Sequence, residues 1–159
     1  MESVRPAGPG DVARCTELLV AAAVEADARR GGTLLVTRGA DVAVERPADL
    51  STLVARWVAG GDHRLVIGSI DEVPVGVAAG TLTRSAGERL GLVECCYVEP
   101  GARQVGIGSA LMADLVAWFA DRGCRGVDAW ALPGDRATKQ LLEAAGLSAR
   151  LLVLHRRLP

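Results

Sequence analysis

The segment from Val98 to Leu111 constrains the fold more than any other part of the chain. A strand-like run ends at Val98, and Pro100 stops it because proline cannot donate to a sheet ladder. Gly106 and Gly108 follow, and two glycines let the backbone turn tightly and let a ligand approach it closely. The first N–H groups of the next helix are unsatisfied and partly positive, so they suit an anion such as a phosphate. The segment therefore predicts a strand, an anion-binding loop and a helix in direct succession.

Two well-known phosphate loops do not fit this segment. The P-loop needs Lys and then Ser or Thr after its last glycine, whereas Ser109 and Ala110 follow Gly108. The dinucleotide fingerprint needs a third glycine where Leu111 stands, and it sits on the first strand of a βαβ unit rather than in mid-chain. Arg103 adds a guanidinium, which matches phosphate oxygens in a bidentate fork.

Size and composition narrow the class of protein. The chain has 159 residues, which predicts one domain spanning 1–159. Half of the residues are hydrophobic and few are aromatic, so the core must be mostly Leu, Val and Ala. The net charge of −1 gives no bulk attraction to nucleic acid or to an anionic membrane. The chain opens with no signal-peptide pattern and has no apolar run near the roughly 20 residues of a membrane span, so we expect a cytoplasmic protein.

The cysteines predict neither a metal site nor a disulfide. They show no CxxC spacing, and the two histidines are far apart, so we expect no metal. Cys95 and Cys96 are neighbours in a strand, where they point to opposite faces and cannot easily bridge each other. A cysteine nucleophile paired with a histidine is an alternative chemistry. Against it, strand cysteines usually pack as small hydrophobic residues.

Hydrophobic periodicity predicts the remaining elements. Strands are predicted at 4–5, 64–70, 75–83, 90–98, 127–132 and 151–155, with a short one at 34–36. Helices are predicted from an Asp11 cap, after Pro47, at 106–122 and at 135–145 with Asp135 as its cap. The strands at 64–98 form an antiparallel meander, and the strand at 127–132 runs parallel to its neighbour.

The segment from Val98 to Leu111 resembles the acyl-CoA pyrophosphate loop of the GNAT superfamily of N-acetyltransferases. The features that carry the resemblance are a strand, a proline, an arginine, two glycines and a helix, in this order. The resemblance covers most of the chain and is strongest from about Val75 onward. It implies an α/β fold with a central mixed, mostly antiparallel sheet, flanked by helices and splayed at the cofactor cleft. It also implies acetyl-CoA as cosubstrate and an amine as the acceptor. Dimers are common in the family, so a homodimer is an expectation that the sequence leaves open.

The resemblance also implies roles for individual residues. The backbone of Cys96 and Val98 would bind the pantetheine arm. N–H groups of the loop would bind the pyrophosphate, flanked by Arg103 and Gln104. The donors are Val105, Gly106, Gly108 and Ser109. Asp135 replaces an asparagine of the family and is counted with the cofactor-binding residues.

Transfer to an amine also needs proton movements. An amine has a pKa near ~10 and is protonated at neutral pH, so a base must take its proton. Glu94 is the best candidate, because the family often has a glutamate at this point of the strand; the alternative is a solvated strand residue. Further candidate bases are Glu99, His63 and His155.

The general acid departs from the family pattern. Leu142 stands where the family often has a tyrosine, and leucine cannot donate a proton. Water or Tyr97 could supply it, although Tyr97 also suits core packing. Two hypotheses remain: an acetyl-CoA-dependent N-acetyltransferase, or a catalytically weak acyl-CoA-binding sensor or partner subunit. Acids and arginines are balanced between residues 25 and 62, which gives no charge preference for the acceptor.

Overall fold

The computed structural model of the chain describes residues 1–30, 47–152 and 154. The elements in chain order are β1 (Glu2–Pro6), α1 (Val12–Asp27), α2 (Pro47–Ala59), β2 (His63–Ile70), β3 (Val73–Ser85), β4 (Glu88–Val98), α3 (Ile107–Asp121), β5 (Val127–Ala129) and α4 (Arg136–Ala144). Up to α4 this is the predicted order of helices and strands, apart from the strand predicted at 34–36, which lies outside the described residues. Within the described ranges, no helix is both long enough and apolar enough to cross a membrane.

The strands form one sheet in the order β1-β2-β3-β4-β5. The first four strands pair antiparallel, whereas β5 pairs parallel with β4 after the α3 crossover. Short turns join the meander, with Asp71 and Glu72 in the first and Ala86 and Gly87 in the second, all at positive φ. The predicted α/β fold with a mixed, mostly antiparallel sheet flanked by helices is confirmed.

The two faces of the sheet carry separate hydrophobic cores. Helices α1 and α2 cover one face, where Cys15, Leu18 and Val54 are fully buried against Ile67 and Val77. Helix α3 covers the other face with its predicted apolar side: Leu111, Leu115, Trp118 and Phe119. Alternation along the strands puts successive side chains into opposite cores, so each strand serves both.

Glycines on the α3 face of the sheet let this helix lie close to the strands. A Cβ on Gly68 would come within 2.7 Å of Ile107, and a Cβ on Gly80 within 2.6 Å of Phe119. At Gly91 the same atom would lie 2.4 Å from the Phe119 ring. Real Cβ atoms do not approach other atoms so closely, so the fully buried Phe119 ring occupies space that only glycine leaves open.

Two predicted strands differ in the structure. Strand β5 ends at Ala129, so the strand predicted through residue 132 was too long. Leu151, Leu152 and Leu154 are not in a strand, so the prediction of a last strand there was wrong. Its other positions, Val153 and His155, lie outside the described residues, as does the strand predicted at 34–36.

Asp11 stands at the N-cap position of α1, yet its side chain makes no cap hydrogen bond. It accepts instead from the Gly8 N–H at 2.7 Å and from Arg5 at 2.7 and 2.9 Å. The Arg5 guanidinium is the largest cause that lowers the pKa of this carboxyl to about 2. The carboxylate therefore joins β1 to the turn before the helix.

We predict that Gly91→Ala destabilises the protein by about 1–3 kcal/mol, the usual cost of overpacking a core. The new methyl group would overlap the Phe119 ring, which is fully buried and has no room to move away. Urea denaturation followed by circular dichroism measures the change. Gly10→Ala is the control, because nothing lies within 4 Å of its Cβ position, and its effect should stay within about 0.5 kcal/mol. Equal stabilities of the two variants would contradict the packing argument.

Candidate active site

The site begins where β4 and β5 part. They pair over three residues only, Gly91–Val93 with Val127–Ala129. Strand β4 then continues through Val98 with no strand beside that edge in the described part of the chain. Ala79 pairs with Cys95 and Gly80 with Val93, so Glu94 is the extra residue of a β-bulge. A bulge bends its strand and re-aims its side chains. The predicted splay of the two strands is therefore present, with Glu94 at its start.

A cleft of about 550 Å³ lies along the parted edge of β4. One half is bounded by the loop before α3, by the residues after β5 and by the start of α4. The other half is bounded by α1 and α2. The residues of this lining that are discussed below are Leu19, Ala22, Ala23, Glu25, Arg29, Leu53, Trp57, Glu94, Cys95, Cys96, Tyr97, Val98, Arg103, Gln104, Gly106, Gly108, Ser109, Trp130, Asp135, Thr138 and Leu141.

The start of α3 presents free N–H groups to one end of the cleft. Gly106 is the N-cap at φ 97°, a left-handed conformation that suits glycine, and no side chain caps the helix. The first bond of the helix runs from Ala110 N to Gly106 O at 3.0 Å. The N–H groups of residues 107–109 therefore come before the first intrahelical bond. Gly108 and Ser109 line the cleft, so this end favours an anion.

Arg103 lies beside this loop and is held by three contacts. Its Nε donates to the Val98 carbonyl at 2.8 Å, and its guanidinium lies 5.6 Å from the centre of the Tyr97 ring. Its Nη2 donates to Glu25 at 2.6 Å. Gln104 follows at φ 71°, a left-handed conformation that costs a non-glycine residue roughly 1–2 kcal/mol. Val105, predicted as a pyrophosphate donor, is exposed and lies outside the cleft lining.

An ionic network joins the loop to the opposite wall of the cleft. Glu25 on α1 accepts from Arg29 at 2.8 Å as well as from Arg103. Arg29 also forms an ion pair with Asp135. Asp135 caps α4 as predicted, accepting from the Thr138 N–H at 3.1 Å and from its hydroxyl at 2.8 Å. Burial alone would raise the pKa of Asp135, but the Thr138 hydrogen bonds and Arg29 outweigh it and lower the pKa.

Glu94 is half-buried on the floor of the cleft, without a described basic side chain bonded to it. Burial raises the pKa of its carboxyl, and the neighbouring Thr81 hydroxyl partly opposes this shift. The same hydroxyl lies 3.1 Å from His63 Nδ1. Burial and Arg56 lower the pKa of His63, so its ring is neutral at pH 7. The bulge thus places a carboxylate of increased basicity in the cleft, with a hydroxyl and an imidazole behind it.

The other candidate proton carriers are placed differently. Glu99 forms an ion pair with Arg14 at 2.9 Å and does not line the cleft. His155 lies outside the described residues. Tyr97 lines the cleft, and burial together with the Glu25 carboxylate raises the pKa of its hydroxyl, so the phenol stays protonated at neutral pH. Leu142 is buried in the α3 core, while the adjacent Leu141 faces the cleft.

The thiols of β4 are not suited to attack. Cys95 packs into the core under α1 and α2 and Cys96 into the core under α3, so they point to opposite faces as predicted. Burial raises the pKa of Cys96 to about 12 and that of Cys95 further. The thiolate is the nucleophilic form of cysteine, and it is scarce at neutral pH in both. Among the described residues, no three His, Cys, Asp or Glu side chains are grouped as metal ligands.

One polar atom beside the cleft lacks a partner. Trp130 follows β5 where the strands have parted, and its indole Nε1–H is buried with no hydrogen-bond acceptor. A buried unsatisfied donor costs about 1–3 kcal/mol. Such a donor in a cleft wall indicates a position where an oxygen atom of a ligand would accept a hydrogen bond.

The parted sheet and the uncapped helix start define an α/β protein with a cleft at the opening of its sheet, and the family comparison gives its class. The chain belongs to the acetyltransferase (GNAT) family, whose model matches residues 38–147. No curated protein matches the chain significantly.

Solved structures share the fold at low sequence identity. A predicted acetyltransferase from Clostridium acetobutylicum, solved with acetyl-CoA, is 16% identical with a TM-score of 0.73, covering 99% of this chain and 96% of that one. The aminoglycoside N-acetyltransferase AAC(6')-Iy with CoA is also 16% identical at 0.73, with 99% and 94% covered. A ribosomal-protein-alanine N-acetyltransferase from Brucella melitensis biovar Abortus 2308 is 17% identical at 0.69, with 100% of both chains covered. At this identity the likeness shows the GNAT fold alone.

Sequence reasoning missed four residues of the site. Glu25 and Arg29 have the i,i+4 spacing of a helical ion pair, but their links to Arg103 and Asp135 cross the whole fold. Thr81 comes beside Glu94 through strand pairing and the bulge. Trp130 was placed inside a predicted strand, and only the early end of β5 brings it into the cleft.

We predict that Thr81→Val raises the pKa of the Glu94 carboxyl further. The hydroxyl favours the ionised form, so its removal leaves burial unopposed. Carbon-detected NMR titration of the Glu94 side chain measures the shift. Thr83→Val is the control, since Thr83 is exposed on the same strand and should leave this pKa unchanged. A lower or unaltered pKa in Thr81→Val would show that the hydroxyl does not support the carboxylate.

Proposed function

We propose that the protein is an N-acetyltransferase that moves the acetyl group of acetyl-CoA directly to an amine of a small molecule or protein. One observation carries the proposal: a single cleft has an anion-binding helix start at one end and a half-buried carboxylate without a cationic partner on its floor. Membership of the acetyltransferase (GNAT) family supports acetyl transfer in general. Residues 1–159 would act as one domain.

The cofactor half of the cleft fits an acyl-CoA. The N–H groups of Gly108, Ser109 and their neighbours would bind the pyrophosphate, with Arg103 and Gln104 beside it. The open edge of β4 from Cys96 to Val98 would bind the amide groups of the pantetheine arm. The unpaired indole N–H of Trp130 supplies one more donor for an oxygen of that arm. Solved GNAT-fold structures with CoA or acetyl-CoA support this assignment.

Acetyl-CoA supplies an acetyl group activated as a thioester, and the chain must deprotonate the acceptor. Glu94 would take a proton from the ammonium, directly or through one water, so that the nitrogen lone pair becomes available. A C–N bond then forms and the C–S bond breaks. The nitrogen gives up its second proton as the amide forms, which restores the proton donor, and the proton on Glu94 passes to water. The thiolate that leaves needs a proton. Tyr97 lines the same cleft with a protonated hydroxyl and would supply it. Asp135 would act indirectly, by fixing the start of α4.

A second candidate function is an acyl-CoA-binding sensor or partner subunit with weak turnover. The observation that favours it is Leu142, which is buried in the core at the position where the family often has its acid. Both candidates bind acyl-CoA through the same loop. They differ in whether Glu94 moves a proton, and this difference is measurable.

We predict that Gly108→Val weakens CoA binding by about 10²-fold or more, because the side chain displaces the anion from at least two charge-assisted hydrogen bonds. Isothermal titration calorimetry measures the affinity. A Cβ at this position meets Leu141 at an ordinary 3.5 Å, so the fold should persist. Gly101→Val is the control, since nothing lies within 4 Å of its Cβ position and it does not line the cleft. Unchanged affinity in folded Gly108→Val would falsify the assignment of this loop.

We predict that Glu94→Gln lowers turnover by about 10²–10⁴-fold, the usual contribution of a positioned base. CoA affinity should hardly change, because the loop is untouched. Part of the loss should return at high pH, where the free amine is abundant. Steady-state rates of CoA release across pH measure this, with Glu88→Gln, an exposed residue of the same strand, as the control. If Glu94→Gln turned over as fast as wild type at every pH, Glu94 would not be the base and would be only a residue of the strand. Tight CoA binding without turnover in either protein would favour the sensor.

A further inference from the structure

The acceptor half of the cleft differs in chemistry from the cofactor half. It is bounded by α1 and α2. Apart from Glu25, the described side chains that these helices present to it are apolar, and they include Leu19, Ala22, Ala23, Leu53 and Trp57. Leu19 and Trp57 belong to the core under these helices and are held in place by it. The wall is therefore preformed and offers an acceptor apolar contact rather than hydrogen bonds.

The described charges around this half are already paired, with one exception. Glu25 contacts both Arg29 and Arg103, and Asp135 contacts Arg29 and Thr138. Glu94 is the carboxylate among the described lining residues that has no cationic partner. One ammonium therefore finds a counter-charge on the floor of the cleft. Among the described residues, a second ammonium would meet an apolar wall or two arginines.

We propose that the acceptor is a small apolar monoamine: one primary amine on an aliphatic or aromatic body, not a polyamine. This inference rests on the proposed transferase function and names its substrate class. The ammonium would lie against Glu94, and the apolar body would pack between α1 and α2. Each methylene that leaves water should improve binding, up to about fourfold when fully buried. A second ammonium would lose its hydration without gaining a partner.

Matched pairs of amines test the proposal on the wild-type protein. Butylamine, hexylamine and octylamine are compared with the diamines of the same lengths, which differ only by a second ammonium. With acetyl-CoA as donor, kcat/KM should rise with chain length among the monoamines. Each monoamine should exceed its diamine by about tenfold or more, because an unpaired ammonium is costly to bury. Diamines equal to or better than monoamines, or no gain with length, would overturn the proposal.

A charge added to the apolar wall gives the reciprocal test. Ala22→Glu places a carboxylate on the cleft face of α1 and should narrow the preference for monoamines, as the second ammonium gains a partner. Val24→Glu adds the same charge to the same helix on an exposed residue outside the lining and should leave the preference unchanged. Equal shifts in both variants would mean that bulk charge, not the wall, sets the preference, and would overturn the proposal.

Direct binding separates this inference from the proposed function. If no amine is acetylated, calorimetry of hexylamine and hexane-1,6-diamine with the CoA-loaded protein still decides the acceptor class. Tighter binding of hexylamine would support the apolar monoamine while the transferase function fails. Acetylation restricted to peptides with a free N-terminal amine, with all small amines inert, would support the transferase and overturn the small acceptor.

Discussion

The three-residue pairing of β4 with β5 is the constraint on which the rest of the site depends. If the two strands stayed paired to Val98, the sheet would be closed along this edge and the cleft would be filled. They part because β5 ends at Ala129 and because β4 carries an extra residue at Glu94. The bulge has two effects at one point: it bends β4 away from its neighbour, and it aims Glu94 into the space that opens. The geometry of the cleft thus follows from strand register.

A second constraint holds the two sides of the opening at a fixed distance. The chain of charges from Arg103 through Glu25 and Arg29 to Asp135 crosses the cleft and links the loop, α1 and α4. Glu25 and Arg29 are each 31% exposed, so each pair adds little stability by itself. Their importance is that they fix positions, because the loop before α3 and the start of α4 are both linked to the C-terminal end of α1. The network also pairs charges that line the cleft, which leaves Glu94 as the carboxylate without a cationic partner among the described lining residues.

Local sequence patterns were enough to place the loop and most elements, because glycine, proline and apolar spacing act over a few residues. The start of α3 at Ile107 and the N-cap of Asp135 follow from such short-range signals. The bulge could not be read from the sequence, since it exists only as a mismatch between Ala79–Gly80 and Val93–Cys95. The pairing of Arg103 with Glu25 joins residues 78 positions apart, and no periodicity records it. The same holds for Asp11, whose expected cap bond was replaced by its contact with Arg5.

Several features of the cleft cost stability in the protein alone, which is common where a ligand completes a site. The pKa of Glu94 is raised by folding, so the folded state binds more protons than the unfolded chain between the two pKa values. Stability from this group therefore falls as pH rises through that window, and the cost persists in full above it. The unsatisfied indole N–H of Trp130 and the left-handed Gln104 add to it. An ammonium opposite Glu94 and an oxygen opposite Trp130 would remove two of these costs. Ligands that bind only the folded state stabilise it by mass action, so a ligand in the cleft would increase the stability of the folded protein.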